Sequence, residues 1–178
     1  DLLSQAEHGP VDEAGAFLLT PSPMLAQAVA EEVESQLEQL SRNTIAAASL
    51  EKSGAIIVTR DLEEAFELAN YTAAEHLELL VADPWNSLSK VKHAGAVFIG
   101  PYSTEPIGDY IAGTNHVLPT NATSRFASGL SVDHFIKRTS IIAYNKTGVA
   151  KYGPAALKIA AVEGLDAHAN AIKVRLEK

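Results

Sequence analysis

Between Ala16 and Gly100 two hydrophobic periods alternate, and that alternation narrows the fold more than any other feature of the chain. Ala16–Thr20 (AFLLT) is a short apolar run, closed by Thr20-Pro21-Ser22-Pro23. Ser22 before Pro23 fits a helix N-cap followed by proline in the first turn. Leu25, Val29, Val33, Leu37 and Leu40 then recur on one stripe, with Glu31, Glu34 and Glu38 off it, which is the spacing of an amphipathic helix. An alanine-rich helical stretch leads to a second apolar run, Ala55–Thr59. Asp61-Leu62-Glu63-Glu64 has the form of a capping box, and Ala65, Leu68 and Ala69 continue the apolar side of its helix. Leu77–Val81 and Ala96–Gly100 repeat the strand pattern, with a helical turn through Asn86–Lys90 between them. Short β-rich runs separated by amphipathic helices predict a layered α/β domain with a mostly parallel sheet. All four strands are expected in that one sheet.

From Tyr102 to Leu130 the periodicity is lost and Gly, Ser, Thr, Asn and Pro become dense, so the segment reads as one long loop. Structureless connections of that length usually carry function. Ile136–Tyr144 reads as a further strand. Lys146–Lys178 reads as helical in two pieces broken near Gly164. The expected organisation is an α/β part over 1–130 and a mainly helical tail over 131–178. A chain of 178 residues, 47% hydrophobic, has room for one core and an appendage. It starts with Asp1 rather than methionine and so reads as an excised piece.

The net charge of −8, with no basic run, argues against nucleic acid as a partner. No apolar stretch is long enough for a bilayer, so a membrane is not expected either. Without cysteine, any metal must be held by imidazole, carboxylate or amide groups. Four places concentrate such groups. Gln5 and His8 are three residues apart and share a face on a helical turn. Taken alone, the pair reads as a solvated helix end. Glu75-His76 stands directly before an apolar strand. It fits general acid–base work and a polar helix rim equally well. Asp109 and His116 lie among the glycines of the long segment, where backbone can approach a ligand closely. Glu163 and His168 flank the break near the C-terminus, where a histidine is ordinarily a surface residue. His93 and His134 lack comparable surroundings and read as structural or solvent-facing.

In order and spacing, LLSQAEHGP, EHLEL, AGAVFIGPYSTEPIGDYIAGTNHVLPT, SVDHFIKRTS and LDAHANA resemble the histidinol dehydrogenase family over essentially the whole chain. The resemblance implies the C-terminal part of such a protein, an incomplete Rossmann-like α/β layer with a helical tail. It implies zinc held by Gln5, His8, Asp109 and His168, and Glu75 and His76 as the catalytic acid–base pair. Substrate contacts would come from these metal ligands together with His76, His116 and Glu163. The expected partners are L-histidinol, NAD and a second copy of the chain. In that homodimer the tails cross, so that Glu163 and His168 complete the partner's site.

The chemistry implied is a two-step oxidation. Zinc orients histidinol through its amine and imidazole nitrogens, and His76 removes the alcohol proton as hydride leaves for NAD. Glu75 then activates the water that adds to the aldehyde, and a second hydride transfer gives histidine. Manganese or cobalt would suit the same ligands. Ala74 replaces a proline that the family often has before the Glu-His pair. No GxGxxG follows a strand, and the family's nicotinamide-binding segments are expected upstream of Asp1, so the chain by itself is expected to be inactive. The expected location is the cytoplasm, or a plastid for a plant protein. Two other readings use the same residues: a free-standing zinc hydrolase with Glu75 as water base, and a non-catalytic module that dimerises through its tail.

Overall fold

Two of the predicted strands, Ala16–Thr20 and the run after Glu75, are each followed by helix that returns the chain to a parallel neighbour, and this connection determines the local architecture. The computed structural model describes residues 1–9 and 14–177. Pro10, which closes the LLSQAEHGP segment, and Lys178 lie outside the described residues. The described chain forms two compact units, Asp1–Phe135 and Ile136–Lys178.

In the first unit α1 (Leu2–Ala6) precedes β1 (Ala16–Thr20), and α2 (Pro23–Leu37) and α3 (Asn43–Ser53) cross over to β2 (Gly54–Val58). The Ser22 hydroxyl accepts from the Leu25 N–H at 3.2 Å and caps α2, with Pro23 in its first turn. Leu40 lies beyond the end of that helix. β1 and β2 pair in parallel from Ala16 opposite Gly54 to Thr20 opposite Val58. Parallel partners require such a crossover. Next come α4 (Leu62–Thr72) and β3 (His76–Leu79), then α5 (Pro84–Ser87), a 3-10 turn at Leu88–Lys90, and β4 (Ala96–Ile99). β3 and β4 are also parallel, with His76 opposite Ala96 and Leu79 opposite Ile99.

The fold is therefore α/β with parallel strands, as expected, but the four strands do not lie in one sheet. They form two separate two-stranded sheets, β1–β2 and β3–β4. Apolar alternation identifies a strand and the face it buries. It carries no information about which neighbour accepts its main-chain hydrogen bonds, and that is where the expectation fails. Sheets this narrow leave apolar surface uncovered: Ile56, Ile57 and Val58 of β2 are 37%, 37% and 49% exposed. The buried residues of this unit are mostly small, with Ala6, Ala46 and Ala73 fully covered and Leu3, Phe66, Leu79 and Phe98 the larger members. Alanine at these contacts lets helix backbone lie close to its neighbours. The buried Ser49 hydroxyl is satisfied by donating to the Ala14 carbonyl at 2.6 Å.

Two further expectations are corrected. The segment Tyr102–Leu130 is not one loop, because a helix, α6 (Glu105–Tyr110), lies within it. Ile136–Tyr144 forms no strand. Its apolar residues are exposed, Ile141 to 92% and Ile142 to 82%, and no strand among the described residues pairs with it. In the second unit α7 (Lys146–Val162) and α8 (Asp166–Leu176) pack on each other. Asn145 caps α7 by accepting from the Gly148 N–H at 2.8 Å. Gly164, at φ +69°, takes the left-handed turn between the two helices. No helix among the described residues is long and apolar enough to cross a membrane.

Candidate metal and acid–base site

His76 opens β3, and strand alternation sets His76 and Glu78 on one face of the narrow sheet. Phe98, opposite Glu78 on β4, lies on the same side. The His76 and Phe98 rings are 5.7 Å apart and tilted. Helix α6 covers this face. It comes close because residue 108 is glycine: a Cβ there would stand 2.3 Å from Phe98 Cε1. Glu78, on the strand beneath, lies close enough to the Glu105 main-chain N–H for that group to favour its carboxylate.

This seating brings three side chains together. Glu105 and Asp109 are one helical turn apart and share a face of α6. With His76 they place one potential ligand atom each within 4.8 Å of one another. His76 Nε2 is 3.6 Å from Asp109 Oδ1, and the two side chains are only 15% and 17% exposed. Both ring nitrogens of His76 are buried without a hydrogen-bond partner among the described residues. Burial pushes the Glu105 carboxyl above its ordinary range, Asp109 adds to the rise, and His76 and His8 oppose it. Burial likewise raises Glu78, against the N–H of Glu105. A buried imidazole with unsatisfied nitrogens beside two crowded carboxylates is a donor set that a divalent cation would satisfy.

The other sequence candidates fall around this cluster or apart from it. Gln5 is on α1, and the His8 N–H donates to its carbonyl at 3.3 Å just beyond the helix. The exposed His8 is close enough to act on the Glu105 charge. Glu75 sits half-buried on the bend entering β3, where its carbonyl accepts from Ala96 N–H at 2.8 Å. His116 is exposed on the chain after α6 and is not part of the cluster. Glu163 caps the end of α7 and His168 is in the first turn of α8, both exposed within the second unit. The His93 main chain donates to Asn70 Oδ1 at 3.2 Å, and His134 Nδ1 accepts from the Ser131 N–H at 3.1 Å.

Glu105 was not among the sequence candidates. Thr104-Glu105-Pro106 does carry a helix-start signal, an N-cap residue type with an acidic residue and proline in the first turn. Reading that start would have placed Glu105 and Asp109 at i and i+4. Gly108 inside the segment hides it, since glycine in a short polar stretch ordinarily signals a loop.

The described residues thus form an α/β protein in which one imidazole and two carboxylates are brought within metal-ligand reach of one another. The sequence profile described as histidinol dehydrogenase matches residues 1–176. Along its whole length the chain is 56% identical to histidinol dehydrogenase of Geobacillus kaustophilus, spanning 42% of that relative. It is 55% identical over 99% of its length to that of Halalkalibacterium halodurans, spanning 41% of it. A crystal structure of histidinol dehydrogenase from Elizabethkingia anophelis superposes with a TM-score of 0.81 at 43% identity, over 99% of this chain and 40% of that one. This chain belongs to the histidinol dehydrogenase family, and it spans about two-fifths of the length of the relatives it matches.

Proposed function

We propose that the chain forms the metal-binding and acid–base portion of a histidinol dehydrogenase, an oxidoreductase of histidine biosynthesis taking L-histidinol through its aldehyde to L-histidine. The observation that carries the reading is the seating of His76, its ring nitrogens covered, against the α6 carboxylates, in a chain 56% identical to a relative of that name. His76 accepts the hydroxyl proton of the alcohol at a ring nitrogen. Glu75, beside it in sequence, removes a proton from the water that adds to the aldehyde carbon. His116 and Glu163 hold the substrate's polar groups.

Gln5, His8 and Asp109 would hold zinc, with His168 from a second copy as the fourth ligand. Asp109 in the crowded carboxylate pair of α6, with His8 near enough to act on the Glu105 charge, supports a cation at this place, and a set without thiolate suits zinc as a borderline acid. Bound zinc supplies a Lewis acid that anchors the amine and imidazole nitrogens of the substrate. NAD is the electron acceptor such an oxidation requires, and no residue of this chain is assigned to it. The assembly is a homodimer with exchanged tails, located in the cytoplasm, and the 178-residue chain by itself does not turn over.

The test joins this chain to the portion of the Geobacillus relative that it does not match. NADH formation from L-histidinol is then followed for the joined protein and for the chain alone. The joined protein is expected to produce NADH and the chain alone none. A folded, zinc-loaded joined protein that forms no NADH would end this reading.

A further inference from the structure

Asp109 faces two demands. It lies nearest to His76, at 3.6 Å from Nε2, and the proposed reading also commits it to the cation. A carboxylate bound to a divalent ion has little charge left for a neighbour. An imidazole that takes a proton from substrate needs its other nitrogen's hydrogen held, because that bond selects the tautomer and aims the free nitrogen. Both His76 nitrogens are buried without a partner, and a buried N–H is costly until it finds an acceptor.

Glu105 is placed to meet this need. It projects from α6 one turn before Asp109, with a carboxylate oxygen within 4.8 Å of the other two ligand atoms. Its own position is constrained by the close approach of Gly108 to Phe98, on the strand paired with that of His76. We infer that Glu105 is the positioning residue of His76: its carboxylate accepts the hydrogen of one imidazole nitrogen and fixes the tautomer, leaving Asp109 to the cation. The second half of that statement rests on the proposed reading, and the first on the grouping of Glu105 within 4.8 Å of the unpartnered His76.

Two experiments separate them. In the 15N-labelled chain itself, two-bond nitrogen–proton spectra at one fixed pH report the His76 tautomer, assigned by the signals lost in His76→Gln. One neutral tautomer is expected in the parent and in Glu105→Asp, and a mixture in Glu105→Gln. Identical His76 nitrogen shifts in all three would overturn the inference, whatever the protein catalyses. In the joined protein, Glu105→Gln should lower kcat by about 10- to 100-fold while KM for histidinol and zinc content stay within about 2-fold, and Glu105→Asp should recover part of the rate. Loss of zinc from Glu105→Gln would make Glu105 a ligand instead, and unchanged turnover would leave it no role; either overturns the inference. A joined parent that does not oxidise histidinol removes the proposed function, and the spectra then decide the Glu105 assignment alone.

Discussion

Gly108 decides how closely α6 can approach β4, and through that distance it decides whether the carboxylates reach His76. A methyl group at this position would stand 2.3 Å from Phe98 Cε1, well inside van der Waals contact. Gly108→Ala should therefore lift the helix and destabilise the first unit by about 1–3 kcal/mol, the usual range for overpacking. Urea unfolding would measure the loss, and an unchanged midpoint would mean that Phe98 simply turns aside. The proposed site makes a sharper contrast. His8 is exposed and outside the apolar contacts, so His8→Ala should lower zinc content greatly without changing the unfolding midpoint. Glu75→Gln should keep the zinc and, in the joined protein, slow oxidation of the aldehyde more than that of the alcohol. Zinc bound by His8→Ala as tightly as by the parent would remove His8 from the ligand set. At this scale the sequence was informative where a residue type is rare in its setting. His76 before an apolar strand is conspicuous, whereas Glu105, one acid among 22 acidic residues, becomes notable only once a helix places it beside Asp109.

Helix α4 shows what local sequence does determine. Asp61 accepts from the Glu64 N–H at 2.9 Å, and the Glu64 carboxylate reaches back to the Arg60 N–H at 2.6 Å. This is the reciprocal arrangement expected of a capping box, with the return bond made one residue earlier than usual. The Arg60 N–H and guanidinium hold the Glu64 carboxyl below its ordinary range. A depressed folded-state value means that this stabilisation is present above the unfolded value and is lost as pH falls through the folded one. Glu64→Gln should thus lower the melting temperature at neutral pH, and the gap to the parent should narrow below about pH 4.5 as Glu64 protonates. A gap that stays constant with pH would show that the charge contributes nothing. Caps, proline positions and apolar stripes act within a few residues, which is why β1 and the start of α2 were legible in the sequence. The division of the strands into two sheets was not, because lateral pairing depends on groups far apart in the chain. Helix α6 was missed for a third reason: its six residues include Gly108, which the close approach to Phe98 requires and which reads locally as a loop signal.

At the scale of the whole molecule, Asp1–Phe135 and Ile136–Lys178 are separate compact units, and the proposed ligands are divided between them. Gln5, His8 and Asp109 belong to the first and His168 to the second. The tail packs α7 on α8 and leaves Ile159 61%, Val162 89% and Tyr152 53% exposed, so it has apolar surface available for a partner. If each zinc site takes His168 from the other copy, two defective chains can repair one another. A mixed dimer of His8→Ala and His168→Ala chains contains one site with both defects and one with both histidines intact. Random reassociation of equal amounts makes half of the dimers mixed, so about a quarter of all sites, and of parental zinc content, should return. A tail serving its own chain predicts no recovery, because every site then lacks one histidine. The mixture should be unfolded and refolded together, freed of loose metal and measured for bound zinc, with the same mutants refolded separately as controls. Sedimentation checks that dimers form in each sample. Recovery near a quarter supports the exchanged tail, and zinc no higher than in the separate mutants assigns His168 to its own chain or to no site at all.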